Sequence, residues 1–479
     1  GSALQSLGKH FRSFLDVDLW KTPERCLLSR AVRSTLLYNF TLIDGNGGNP
    51  IPNSALIIND EGFIVNIMDM NLISNNQIEQ SYPNVKSFNL KGKFVIPGLI
   101  DAHTHASSEC SFLLFFIRPQ NATHMDILLS FALSGGITSM RDMGGDVPFL
   151  LPYASLGFLP KVPYPRIYYS CLIGGPDFML DPRVQQAAHG TVPGTTGWLR
   201  SITNTTDIPA AIASAVDIGV TGVKIYADLD RNLTLAVTKE AKKQGLRVWT
   251  HSAIFPTKPS EEVTAGIEVL SHTAYFVFES YDSMPQDYKV RFNGDYANHP
   301  YNSQNITNLL QMIKQADAIL DATVYVFTEP DSVTVQREYS TFRSSAPVPS
   351  HNSDTDFPKI GQQWIFNVTR DAHVLGIRIS AGTDDLGSSE LGDKFPNIHK
   401  EIELFVRECG FSPLEAITSV TKTASQAIGI DKYYGTIETG KVADLVILNN
   451  DPSIDITNTR KIYTVLKQGI FYPISNGTV

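Results

Sequence analysis

Val95-Ile-Pro-Gly-Leu-Ile-Asp-Ala-His-Thr-His105 is an apolar run that ends in two histidines one residue apart. Residues i and i+2 of a β-strand point to the same side. His103 and His105 can therefore present two imidazoles to one metal ion, and the run before them supplies a buried strand to hold them. A lone His-x-His proves little, so the weight falls on what the rest of the chain adds.

Downstream of Phe94 the chain alternates short apolar β runs with helical stretches. The runs are Phe94–Ile100, Ile137–Met140, Arg166–Ile173, Gly222–Ile225, Leu246–Thr250, Gly266–Leu270, Ala318–Phe327 and Gly376–Ser380. This alternation predicts an α/β fold, a (β/α)8 TIM barrel over residues 94–433. After the eighth run, Ser412-Pro-Leu-Glu415 predicts a helix start, with Ser412 as N-cap, Pro413 in the first turn and Glu415 completing a capping box.

The flanking segments read differently. From Thr35 to Leu90 short β-like runs are broken by turns. Leu36–Ile43 is followed by Ala55–Ile58, then a hairpin turn at Asn59-Asp-Glu-Gly62 and a return strand Phe63–Ile67. The last stretch returns to β character after Gly435, with strands near Tyr463–Leu466 and Phe471. Residues 31–93 and 434–479 are thus expected to form one small β-sandwich domain. Residues 1–30 read as an extension.

The ends of successive barrel strands carry a chemically coherent set, and barrels of this kind place active sites there. The first strand ends in His103 and His105, and the fourth carries Lys224 within Gly222-Val-Lys-Ile-Tyr226. The fifth ends in His251, the sixth in His272, and the eighth in Asp384 within Ser380-Ala-Gly-Thr-Asp-Asp385. Each alone could be structural; together they point to a metal site.

This set resembles the amidohydrolase superfamily, in its binuclear-metal, carboxylated-lysine branch. The resemblance runs from about residue 35 to the end, through Pro97–His105, Gly136-Ile-Thr-Ser-Met-Arg-Asp-Met-Gly144, Ser412–Ile417 and Gly435–Asp444. Within the branch it looks closest to Xaa-Pro and Xaa-Arg dipeptidases and ochratoxinase-type amidases. The resemblance implies that His103, His105 and Asp384 hold a buried metal and His251 and His272 an outer one, with Lys224 bridging both as a CO2-derived carbamate. Two divalent ions, best suited by Zn2+ given the N/O donors, would share a nucleophilic hydroxide. Asp384 would serve as general base and then general acid. Burial beside Val223 and Ile225 favours the neutral Lys224 amine that CO2 requires.

The expected activity is hydrolysis of amide bonds in peptide-like or N-acyl amino acid substrates. Two positions depart from the related dipeptidases: Ala253 stands where they commonly carry Tyr, and Gly174-Gly-Pro-Asp177 where they often carry His. Tyr226 and Arg141 are the candidate substrate contacts in their place. The alternatives are a mononuclear deaminase or cyclic-amide hydrolase, and a catalytically inactive scaffold of the same fold. His251-Ser-Ala-Ile254 lacks the Glu the deaminases use, and all six ligands are kept, which disfavours both. The segment from Thr328 to Phe366, rich in Ser, Pro and Thr, could form a lid or a mobile loop over the site, the alternative being a solvated insertion.

A net charge of −9 argues against a nucleic-acid partner, and no apolar run nears the roughly 20 residues of a membrane span. The expected partner is a small-molecule substrate, with a homo-oligomer left open. Asn-x-Thr sequons at Asn39, Asn121, Asn204, Asn232, Asn305, Asn367 and Asn476 suggest a secreted glycoprotein, with a cytoplasmic location as the alternative. Cys26, Cys110, Cys171 and Cys409 allow up to two disulfides, though Cys171 reads as a buried free thiol.

Overall fold

The structure, a computed structural model, describes residues 34–107, 122–328 and 357–473, apart from 74, 83 and 293. The expected extension at residues 1–30, Cys26, Cys110, and 329–356 of the expected lid lie outside the described residues.

The N-terminal strands β1 (Thr35–Leu42), β2 (Ile51–Ile58), β3 (Ile64–Asp69), β4 (Lys86–Asn89) and β5 (Phe94–Pro97) belong to one sheet. β2 and β3 pair antiparallel through the expected turn. There the Asn59 side chain accepts the Phe63 N–H at 2.8 Å, and Gly62 has φ +86°. A Cβ on Gly62 would lie 2.3 Å from the Gln468 carbonyl oxygen, so the turn needs glycine both for conformation and for space.

The barrel is built from β6 (Leu99–Thr104), β7 (Ile137–Asp142), β8 (Arg166–Gly174), β10 (Gly222–Ala227), β11 (Arg247–His251), β12 (Val269–Ser271), β13 (Ile319–Asp321) and β14 (Arg378–Ser380), with β9 (Leu199–Ser201) beside β8. Neighbouring strands are parallel. Backbone bonds from Ala102 N–H to the Ala381 carbonyl (3.1 Å) and from Asp384 N–H to the His103 carbonyl (2.8 Å) close the ring between first and last strands. The run Arg166–Ile173 is buried at every position, as a strand covered on both faces must be.

The chain then returns to the first sheet through β15 (Leu445–Leu448), β16 (Ile462–Lys467) and β17 (Ile470–Pro473), β15 pairing antiparallel with β5. This sheet has apolar clusters on both faces, one around Leu37, Leu56 and Leu445 and another around Leu36, Ile57 and Ile78. Buried polar contacts fasten it to the barrel. Arg166 meets Asp444 at 2.5 Å, and Lys467 donates to the carbonyls of Gly157, Val162 and Tyr164 at 2.7–3.0 Å.

Two expected strands change. Phe94–Ile100, read as one run, is two strands in two sheets: β5 pairs with β15, β6 with β7, and the chain crosses at Gly98. A Cβ on Gly98 would sit 2.2 Å from the Thr138 hydroxyl. Both halves are buried, so hydrophobic patterning cannot show where the partner changes. Phe94–Pro97 thus belongs to the first sheet, and the first barrel strand begins after Gly98. Ala318–Phe327 is a strand only over Ile319–Asp321; Thr323 takes φ +47° and residues Val324–Thr328 turn helical. The buried Glu401 carboxyl accepts the N–H groups of Val324 (2.9 Å) and Tyr325 (2.6 Å), which favours the turn over a longer strand.

The Ser412 capping box forms as expected, the Ser412 hydroxyl accepting the Glu415 N–H and the Glu415 carboxylate accepting the Ser412 N–H. Cys171 and Cys409 are buried free thiols.

Candidate metal centre

His103 sits near the end of β6, with His105 one residue beyond the strand. Lys224 lies in β10, His251 ends β11, and His272 directly follows β12. Asp384 follows β14 by four residues. Parallel strands of one barrel share their direction, so all these residues meet at one end of it.

The His103 Nε2 and His105 Nε2 atoms lie 3.4 Å and 3.2 Å from Asp384 Oδ1. The three side chains offer ligand atoms within 4.8 Å of one another. The rings continue inward, with centroids 4.6 Å apart for His103 and His272 and 4.8 Å for His251 and His272. Lys224 is buried and its Nζ donates to the Thr250 carbonyl at 3.1 Å. Burial lowers the Lys224 pKa to about 7, against opposing pulls from Asp321 and Asp384. Burial would raise the Asp384 carboxyl, but His103 and His105 beside it hold it below its ordinary value. Burial pushes the pKa values of His103, His251 and His272 well below the ordinary imidazole value, toward the neutral form that binds metal.

A second layer orients these rings. Asp321, at the end of β13, lies 2.7 Å from His103 Nδ1, accepts from the Ser271 hydroxyl at 3.1 Å and pairs with Arg141 at 2.8 Å. His105 Nδ1 donates to the Gly144 carbonyl at 2.7 Å, and His272 Nδ1 meets the Thr323 hydroxyl at 2.7 Å. With Nδ1 engaged, each of these rings turns Nε2 toward the centre. Asp101 accepts from the Thr383 hydroxyl (2.7 Å) and the Thr383 N–H (3.0 Å), which ties the first strand to the loop carrying Asp384. His272 and Asp384 take φ of +75° and +56°, left-handed values uncommon outside glycine. Bonds from His272 N–H to Asp321 O and from Asp384 N–H to His103 O, both 2.8 Å, hold them there.

The donors present fit divalent metal. Among the described residues, His103 Nε2 and His251 Nδ1 are buried without a hydrogen-bond partner, a cost that a metal ion would relieve.

The structure places the two candidate substrate contacts differently. Arg141 is fully buried inside the barrel, donating to Asp321 and to the Ala102 carbonyl and lying 4.7 Å from the Trp249 ring centroid. It is a structural ion pair beneath the ligands; the outward reach a substrate contact needs is lacking. Tyr226 lies at the site, its ring 4.4 Å from that of His251. Ala253 is buried, with φ +77° and its N–H bonded to Glu262 at 2.7 Å.

Sequence reasoning missed Asp101, Asp321, Tyr275 and Phe327. The ring of Tyr275 lies 4.4 Å from His251, and that of Phe327 lies 5.5 Å from His272. Asp321 carried a usable signal, since it ends the seventh barrel strand much as the candidate ligands lie at the ends of theirs.

The family model for the amidohydrolase family matches residues 94–471. Among solved structures, the chain is similar to a Xaa-Pro dipeptidase with methionine bound in its active site, at 20% identity over 92% of this chain and 100% of the other, with a TM-score of 0.66. Ochratoxinase from A. niger matches at 18% identity over 93% and 96%, TM-score 0.66. Molinate hydrolase matches at 18% over 92% and 94%, TM-score 0.67. The search of curated proteins returned no match. The chain belongs to the amidohydrolase family.

Proposed function

We propose that this chain is a metal-dependent hydrolase that cleaves amide bonds of peptide-like or N-acyl amino acid substrates, ochratoxin-type amides among them. The observation that carries this reading is the cluster of His103, His105 and Asp384 at one mouth of the barrel, with His103 Nε2 and His251 Nδ1 buried without a hydrogen-bond partner. His103, His105 and Asp384 would hold one divalent ion and His251 and His272 the other, with Lys224 as a carbamate between them. Such ions, zinc being the best suited to these donors, make water nucleophilic at neutral pH and polarise a carbonyl.

The chain's own groups then have distinct tasks. Asp384 is held anionic and keeps a side-chain accessibility of 16%, so it faces the mouth while touching both histidines. It accepts a proton from the attacking water and returns it to the leaving nitrogen. Water oxygen joins the acyl carbon, the C–N bond breaks, and acid and amine leave. Asp321 and Thr323 hold His103 and His272 in register. Tyr226, Tyr275 and Phe327 wall the outer histidines with aromatic surface suited to an apolar substrate group.

Exposed sequon residues Asn204, Asn232 and Asn305 support a secreted, glycosylated form.

The test is incubation of the zinc-loaded protein with a panel of N-acyl amino acids and dipeptides, read by product mass spectrometry. Acid and amine products are expected, and should vanish on chelation. Failure to hydrolyse any amide with metal bound would overturn the reading.

A further inference from the structure

We infer that Tyr226 and Tyr275 are positioning residues that bracket the His251 ring and so set how tightly the outer metal ion is held. The inference rests on the metal-centre reading above and deepens it.

The four candidate imidazoles are not held alike. Nδ1 of His103, His105 and His272 is engaged by Asp321, the Gly144 carbonyl and the Thr323 hydroxyl, each at 2.7 Å. The Nδ1 of His251 is buried without a hydrogen-bond partner, so no such bond sets the plane of this ring. The backbone around it is well fixed. Ser252 N–H donates to the Ser271 carbonyl at 3.0 Å, and Ala253 N–H to the buried Glu262 carboxyl at 2.7 Å. These bonds do not restrict rotation about the histidine Cβ–Cγ bond, a torsion that is broad by nature.

Aromatic packing supplies the missing restraint. The Tyr226 ring lies 4.4 Å from that of His251 with 39° between their planes, and the Tyr275 ring lies 4.4 Å from it with 30°. One imidazole face has no room for two phenol rings at that distance, so the tyrosines cover opposite faces. Each is itself fixed. Tyr226 leaves β10 on the same face as Lys224, two residues before it, and stacks on the buried Phe178 ring at 4.5 Å and 8°. Tyr275 is buried in the 3-10 turn Thr273–Ser280 that follows His272, and meets Phe327 edge-on at 5.4 Å and 84°. Turning the His251 ring would drive its edges into one tyrosine face or the other. The bracket therefore does for His251 what hydrogen bonds do for the other three rings, and a ligand held in place before the ion arrives binds it more tightly.

The test uses the full-length protein, saturated with zinc and then titrated with a chelator, with metal per chain read by elemental mass spectrometry. The outer ion is the release step that His251→Ala abolishes. Tyr226→Leu and Tyr275→Leu should each weaken that step by about 10-fold, the scale of losing one ring contact on a ligand, while the inner ion's step stays in place. Tyr226→Phe and Tyr275→Phe keep the ring and should keep the wild-type affinity. Tyr226 is half-buried, so Tyr226→Leu decides the matter where Tyr275→Leu fails to fold. A selectively weakened outer ion supports the bracket even where no amide is cleaved, an outcome that would count against the hydrolase reading alone. An unchanged outer step in folded Tyr226→Leu, equal weakening of both ions, or a Phe variant as weak as its Leu counterpart would overturn the bracket. A wild-type protein with no release step that depends on His251 would overturn it together with the outer site.

Discussion

The Nδ1 nitrogen of His103 lies 2.7 Å from Oδ2 of Asp321, and both side chains are shut off from solvent. The same oxygen receives Arg141 and the Ser271 hydroxyl. One carboxylate thus fixes the tautomer of a ligand, which should raise metal affinity beyond what the histidine alone provides. Asp321→Asn should weaken divalent metal binding by about 10- to 100-fold. Competition against a chelator measures this directly, and unchanged affinity would mean that Asp321 does not tune His103.

Arg141 makes a separate prediction because its role is structural. Both members of the Arg141–Asp321 pair are fully buried, so Arg141→Met leaves a carboxylate without its cation. The expected loss is about 3–5 kcal/mol of stability, with Arg141→Lys restoring part of it. Urea denaturation of the metal-free proteins reports the difference; a loss below about 1 kcal/mol would assign the residue another task.

In the proposed mechanism Lys224 would bridge the two ions as a carbamate. Lys224→Ala should lower kcat by several orders of magnitude, and a short carboxylate such as acetate or propionate should restore a measurable fraction by standing in for the carbamate. Full activity in the variant would remove the bridge from the account.

A stability prediction comes from His399, a buried histidine outside the candidate ligand set. The ring is buried between the Gly135 carbonyl (2.9 Å from Nε2) and the Thr459 hydroxyl (3.0 Å from Nδ1). Burial lowers its pKa to about 4 from the ordinary 6.5, against the pull of the Gly135 bond. The unfolded chain therefore binds this proton first as pH falls. The His399 contribution is complete above about pH 6.5 and is lost progressively between 6.5 and 4. His399→Gln should flatten this part of the stability–pH curve relative to wild type. Parallel curves would show that His399 titrates alike in both states.

The candidate ligands share one end of the barrel because its topology turns strand ends into a spatial code: a reactive side chain closing each of several successive runs must lie near the others. Lys224 was readable for the same reason, although mid-strand, since Gly222 and Tyr226 bound its short run. The supporting groups were harder to see. Asp101 and Asp321 work through partners distant in the sequence, Thr383 and His103, and nothing local marks such a pairing. Arg141 stood in a recognisable motif, but its direction depended on Asp321, then unplaced. The exchange of sheets at Gly98 was hidden because the residues on both sides are equally apolar.

The central claim is that six strand-end side chains hold two catalytic divalent ions. Metal content per chain, measured by elemental mass spectrometry beside amide hydrolysis on the same samples, tests it most directly. Two divalent ions per wild-type chain are predicted, falling to about one in His251→Ala, with hydrolysis lost on chelation and regained when zinc returns. A wild-type protein that hydrolyses amides at full rate with no metal bound would contradict the account.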